Sequence, residues 1–85
     1  MIVVYHKNFI KSFKKSSKKI KDKFGERLAV FNIDEFDPIL NNHSLQGKYE
    51  GYRSINISGD VRAIFKRRAK DAIFVTINSH SNLYG

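Results

Sequence analysis

The sequence predicts an α+β fold with an N-terminal strand, a two-helix hairpin and a three-strand antiparallel meander, all around one sheet. Three observations predict it. Ile2–Tyr5 is a short β-branched and aromatic run. Apolar residues then recur at helical spacing from Phe9 to Phe36. From Tyr52 to Asn78 they alternate instead, in three runs separated by turn residues.

The first helix is expected over about residues 7 to 24. Phe9, Phe13, Ile20 and Phe24 form its inner stripe. Gly25 then reads as the C′ residue that ends it. A second helix follows from Glu26 to Phe36, with Ala29, Ile33 and Phe36 on its inner face and Glu26 suiting the dipole of its first turn. Asp37-Pro38 stops it, because the residue before proline disfavours helical backbone. Residues 39–49 read as a loop. Strands are predicted at Tyr52–Ile57, Val61–Arg67 and Ile73–Asn78. Ser58-Gly59-Asp60 makes the tight turn between the first two, and 68–71 a looser one. The N-terminal strand is expected to pair with the meander, which would otherwise leave an edge bare.

A chain of 85 residues is expected to form a single domain over 1–85. It contains no cysteine, so no disulfide or thiolate metal site can reinforce its thin core. The seven phenylalanines and the aliphatic residues must supply that core. Lys and Arg number 16 against 8 Asp and Glu, a net charge of +8. So basic a chain favours a polyanionic partner such as nucleic acid, an anionic membrane or an acidic protein. The opening Met-Ile-Val-Val-Tyr is too short for a signal-peptide core, and no apolar run approaches the ~20 residues of a membrane span. The expected setting is the cytoplasm, with no membrane contact.

Four groups of residues carry candidate chemistry. Lys7, Lys11, Lys14, Lys15, Lys18, Lys19, Lys21 and Lys23 face only Asp22 between residues 7 and 24. Like charges at helical neighbour distances repel, and a bound polyanion relieves that. Lys11, Lys14, Lys15, Lys18 and Lys19, with Arg53, Arg67 and Arg68, are therefore expected to contact RNA or ribosome phosphates without reading sequence. A solvated face is the plainer alternative. His43 lies in the loop before the meander, and His80 follows its last strand. Imidazole takes or gives a proton near neutral pH. Two of them beside Arg62 suit cleavage of RNA by its own 2′-hydroxyl, with the cation stabilising charge on phosphorus. Each histidine alone is more commonly a surface residue. Arg62 shares a strand face with Asp60 and Ile64, opposite Val61, Ala63 and Phe65. Tyr84 can stack on a splayed base or dock on the protein, and Leu83 is expected in the core. No carboxylate cluster has metal-ligand spacing, and no phosphate loop or Ser-His-Asp set is present, so neither metal nor cofactor is expected.

The stretch H-S-L-Q-G-K-Y-E-G-Y-R-S, followed by G-D-V-R-A-I-F and closed by H-S-N-L-Y, resembles the RelE/ParE superfamily of type II toxins. It is most similar to the RelE/StbE, YafQ-like branch. The resemblance implies a RelE-like microbial ribonuclease fold. It also implies a ribosome-dependent, metal-independent endoribonuclease that cuts mRNA in the decoding site of the 70S ribosome. By position, His43 matches the branch's loop histidine and His80 its C-terminal histidine, the usual general acid. Asp60 matches a turn aspartate, Arg62 the phosphate-neutralising strand arginine and Tyr84 the terminal aromatic. Asn56 stands where this branch places another histidine, and Val61 where it often has tryptophan. The 2′ proton then falls to His43 or to Asp60. The resemblance further implies a cognate antitoxin, and operator DNA only through the toxin–antitoxin complex. Two alternatives compete: a ParE-like gyrase inhibitor of the same fold, and a non-catalytic nucleic-acid-binding module.

Overall fold

A computed structural model describes residues 1–84; the Tyr84 side chain and Gly85 lie outside the described residues. Strand β1 (Ile2–Tyr5) leads to helices α1 (Lys7–Lys14) and α2 (Lys18–Ile33). Then come β2 (His43–Ser44), β3 (Arg53–Ser58), β4 (Val61–Arg68), β5 (Asp71–Ser79) and a terminal helix α3 (His80–Tyr84). Short 3-10 turns at Pro38–Leu40 and Gly47–Tyr49 flank β2.

The five strands form one mixed sheet in the order β1-β5-β4-β3-β2. The expected antiparallel meander, β3-β4-β5, is its centre but not its whole. β1 runs parallel to β5 from Ile2↔Asp71 to Tyr5↔Phe74. β2, inside the segment expected to be loop, pairs antiparallel with β3 through His43↔Ser54. A two-residue strand has no periodicity to read; only pairing with β3 creates it.

The helices also divide differently from expectation. The break falls at Ser16–Ser17, where the Ser17 hydroxyl accepts the Ile20 N–H at 3.2 Å and caps α2. Gly25 is an interior residue of α2. A serine cap satisfies orphan N–H groups at the start of a helix, and here it outweighs the glycine signal. α2 ends at Ile33, and the Asp34 carboxylate accepts the Phe36 N–H at 3.0 Å. Phe36 therefore lies outside the helix and is exposed.

Both helices cover one face of the sheet. Phe31, Phe65 and Phe74 are fully buried there, with Ile55, Ile57, Ala63 and Leu40. Phe31 meets Phe65 edge-on at 5.1 Å, and Phe9, Phe24 and Phe74 lie within 5.8 Å of one another. Burying each such ring stabilises the fold by up to about 3 kcal/mol. Tyr5 stacks on Phe9 at 5.1 Å, and burial pushes its phenol pKa up. The hairpins are tight. Ser58↔Val61 leaves Gly59-Asp60 as a two-residue turn with Gly59 at φ +51. Arg68↔Asp71 leaves Ala69-Lys70, with Ala69 at φ 54. The opposite face of the sheet is not covered by α1 or α2; it carries the alternate residues of β3, β4 and β5, with Ile64 and Ser54 buried among them.

Candidate functional site: a histidine–arginine cavity on the open sheet face

Strand alternation places Ser54 and Asn56 of β3, Arg62 and Ile64 of β4, and Thr76 and Asn78 of β5 on this open face. Register aligns Asn56, Arg62 and Asn78 in one row, and Ser54, Ile64 and Thr76 in the next. β2 adds His43 beside Ser54. The chain then turns at Ser79 and brings His80 back over the same end. The His80 N–H donates to the Asp60 carbonyl at 2.7 Å, tying α3 to the β3–β4 turn.

One cavity of about 290 Å³ results, lined by Asn41, His43, Leu45, Ser54, Arg62 and His80. Three expected catalytic residues, distant in sequence, meet in it. Asp60 reaches the site through its main chain and does not line the cavity. The Tyr84 side chain lies outside the described residues.

The hydrogen bonds orient the side chains. His43 Nδ1 lies 2.8 Å from the Asn41 carbonyl. A carbonyl only accepts, so Nδ1 is the donor in this bond, and whenever the ring is neutral Nε2 is its acceptor. Arg62 Nη1 donates to the Gly59 carbonyl at 2.8 Å, which pins the guanidinium over the turn. Its permanent charge stands at the cavity wall. Asn78 Oδ1 accepts from the Ser79 N–H at 2.8 Å and from Asn82 Nδ2 at 3.0 Å. Ser79 Oγ accepts the Asn82 N–H at 3.2 Å. Together these cap α3, whose first residue is His80. Buried Asn56 Oδ1 has no hydrogen-bond partner among the described residues.

Sequence reasoning missed Ser54, Asn41 and Asn78 as parts of this site. Asn78-Ser79 before His80 is a capping signal that could have exposed one of them. Ser54 is 1% exposed and depends wholly on register.

The cations do not form one stripe. Lys11 and Lys15 line a separate cleft of about 440 Å³ between α1 and the end of β5, with Ser12, Ser16, Asn78 and Ser79. Lys14 lines a different, apolar groove on the helical side, with Tyr5, Phe13 and Leu28. Lys18 pairs with Asp22 at 3.1 Å, and Lys19 is exposed on α2. Arg53 Nε donates to Asn42 Oδ1 at 2.7 Å, with its guanidinium 5.5 Å from the Phe36 ring. Arg67 is engaged inside the protein. It bonds Glu35 at 3.1 Å and the Ala69 and Asp71 carbonyls at 3.0 and 2.6 Å. Arg68 is exposed at the end of β4. Among the described residues, no group of three His, Asp or Glu could hold a metal ion, and no helix is long and apolar enough to cross a membrane.

This mixed sheet with two N-terminal helices on one face is the fold shared by the YafQ and YoeB/ParE toxins. Within that group, residues 1–85 match the model of the bacterial toxin YafQ of type II toxin–antitoxin systems, and the chain belongs to the YafQ family. It superposes on Escherichia coli BL21(DE3) YafQ with a TM-score of 0.80 at 24% identity, covering 98% of this chain and 97% of that one. In the E. coli DinJ–YafQ toxin–antitoxin complex the match has a TM-score of 0.76 at 25% identity, over 98% and 96% of the two chains. A YoeB/ParE toxin from Agrobacterium tumefaciens shares the fold at 14% identity, with a TM-score of 0.75 over 94% and 99%. No curated protein matches the chain in sequence.

Proposed function

We propose that this toxin is a ribosome-dependent, metal-independent endoribonuclease that cuts mRNA in the decoding site by attack of the 2′-hydroxyl on its own phosphate. The observation that carries this is the convergence of His43, Arg62 and His80 on one cavity. His43, with its proton on Nδ1, accepts the 2′ proton at Nε2. Arg62 neutralises the charge that builds on the phosphorane oxygens. His80, in its protonated form, gives a proton to the leaving 5′ oxygen. The products are a 2′,3′-cyclic phosphate and a 5′-hydroxyl end. The acid and base sit on different elements, so each is positioned independently. Lys11 and Lys15, in the cleft between α1 and the end of β5, hold phosphates of the bound RNA.

The cellular setting follows from the family. E. coli YafQ is held in a complex with DinJ. By that analogy a cognate antitoxin restrains this chain in the cytoplasm, and operator DNA is bound only by the pair.

The test is cleavage of a defined mRNA on programmed 70S ribosomes in EDTA, with free RNA as control. Cleavage should require the ribosome and leave a 2′,3′-cyclic or 3′-phosphate end. His80→Gln and His43→Gln should each slow it by about 10²–10⁴-fold. No cut from folded, antitoxin-free protein would sink the proposal.

A further inference from the structure

The open face holds a second cleft, which the three cavity residues do not use. It measures about 430 Å³, within the roughly 300–1,000 Å³ span of small-ligand sites. Tyr49 and Tyr52 form one wall, His6 and Asn8 the other, and Val75 and Thr76 of β5 the floor. The floor exists because β5 bulges. Ile64 pairs Thr76 while Phe65 pairs Phe74, leaving Val75 as an extra residue.

We propose that this cleft holds one unpaired RNA base close to the cut and sets the nucleotide preference there. The inference rests on the endoribonuclease function proposed above. Position supports it first. Thr76 pairs Ile64, and Ile64 pairs Ser54, which lines the histidine cavity. Two strand spacings separate the clefts, roughly 10 Å on a single face. One RNA strand can therefore occupy both.

Chemistry supports it second. The two tyrosine rings meet edge-to-face at 6.3 Å, a rigid aromatic corner. Bases of single-stranded RNA stack on such rings. Lys48 Nζ lies 5.3 Å from the Tyr49 ring and Lys66 Nζ 5.6 Å from the Tyr52 ring. Each ring therefore has a cation at hand for the phosphates that flank a stacked base. Opposite them, His6 Nδ1 accepts the Asn8 N–H at 3.1 Å as the cap of α1. The neutral ring then carries its proton on Nε2, which is left as a donor for a base acceptor. The Thr76 hydroxyl can donate or accept. Aromatic wall, flanking cations and a fixed donor describe a nucleobase pocket rather than a bare phosphate site.

The experiment has two arms. In the first, the ribosome assay is run on an mRNA library with Tyr49→Leu, Tyr49→Phe and His6→Ser. Serine keeps a side-chain oxygen to cap α1 and removes the imidazole. Tyr49→Leu should lose roughly 5- to 150-fold in cleavage and flatten nucleotide preference, and Tyr49→Phe should restore both. His6→Ser should redistribute cleavage among nucleotides without abolishing it. Unchanged rate and preference in Tyr49→Leu and His6→Ser, while His80→Gln is inactive, overturns the base pocket and leaves the nuclease standing. In the second arm, NMR follows the full-length protein titrated with 2′-O-methylated tetranucleotides. Saturable shifts of the Tyr49, Tyr52 and His6 ring signals, absent with inorganic phosphate, support the pocket even if the ribosome assay shows no cut. Shifts confined to His43 and His80, or none at all, overturn it.

Discussion

Asn56 and Arg67 show how a single side chain divides between stability and function. Asn56 Oδ1 is buried at the centre of the sheet without a partner among the described residues, beside Arg62 in register. Leaving a buried acceptor unmade costs about 1–3 kcal/mol. Asn56→Val removes it and suits a central strand, so it should raise stability by about 1 kcal/mol, read from the denaturant midpoint. Arg67 has the opposite character. At the end of a hairpin it reads as a solvent-facing cation, but its side chain is 29% exposed and satisfies Glu35 and two turn carbonyls. Those bonds hold Ala69 at positive φ, a conformation that disfavours side chains. Arg67→Met should cost about 2 kcal/mol in chemical denaturation. Arg67→Lys should recover only part of that, because lysine lacks the planar fork.

At the scale of the element, the instructive feature is the helical pair. An apolar stripe continues through Ser16-Ser17, so periodicity alone sees one helix from residue 7 onward. The chain breaks there because the Ser17 hydroxyl offers the start of α2 a partner and Ser16 donates from its own Oγ to the Ser12 carbonyl at 3.1 Å. Gly25, which marks a helix end by local chemistry, is carried through the interior of α2 by the packing of Phe24 and Phe31 on the sheet. A methyl group at Gly25 would meet nothing within 4 Å. Gly25→Ala should therefore stabilise the protein by about 0.8–1 kcal/mol, visible as a higher melting temperature. β2 teaches the same lesson. His43 and Ser44 become a strand only because Ser54 and Arg53 lie alongside.

For the molecule as a whole, charge and face separate the roles. Both helices bury the phenylalanine core on one side of the sheet, leaving the other side to the histidine cavity and the tyrosine-walled cleft. The net charge of +8 gives the surface a long-range pull on a polyanion, and salt screens that pull. Single-stranded RNA affinity should fall linearly with the logarithm of salt concentration. Substituting Lys11 and Lys15 together by glutamine should reduce that slope by about 1.4, from the loss of two phosphate contacts. Equal substitutions at Lys14 and Lys18 should change it less, because Lys14 lines the helix-side groove and Lys18 is already paired with Asp22.

Composition, periodicity and turn chemistry determine the α+β class, the first strand, the three central strands and their two hairpins. All are local signals, and tertiary packing agrees with them. His43, Arg62 and His80 were also legible as types of residue, through a motif resemblance and through the chemistry of imidazole beside guanidinium. Their meeting was not, because three elements far apart in the chain supply them. Sheet register aligns Asn56, Arg62 and Asn78, the β2–β3 pairing delivers His43, and a main-chain bond from His80 to Asp60 folds α3 back over the cavity. Only the tertiary structure could decide those, as it decided the helix break and the fate of Arg67. A hydrogen-bond partner 32 residues away, as Glu35 is from Arg67, has no signature in the sequence beside it.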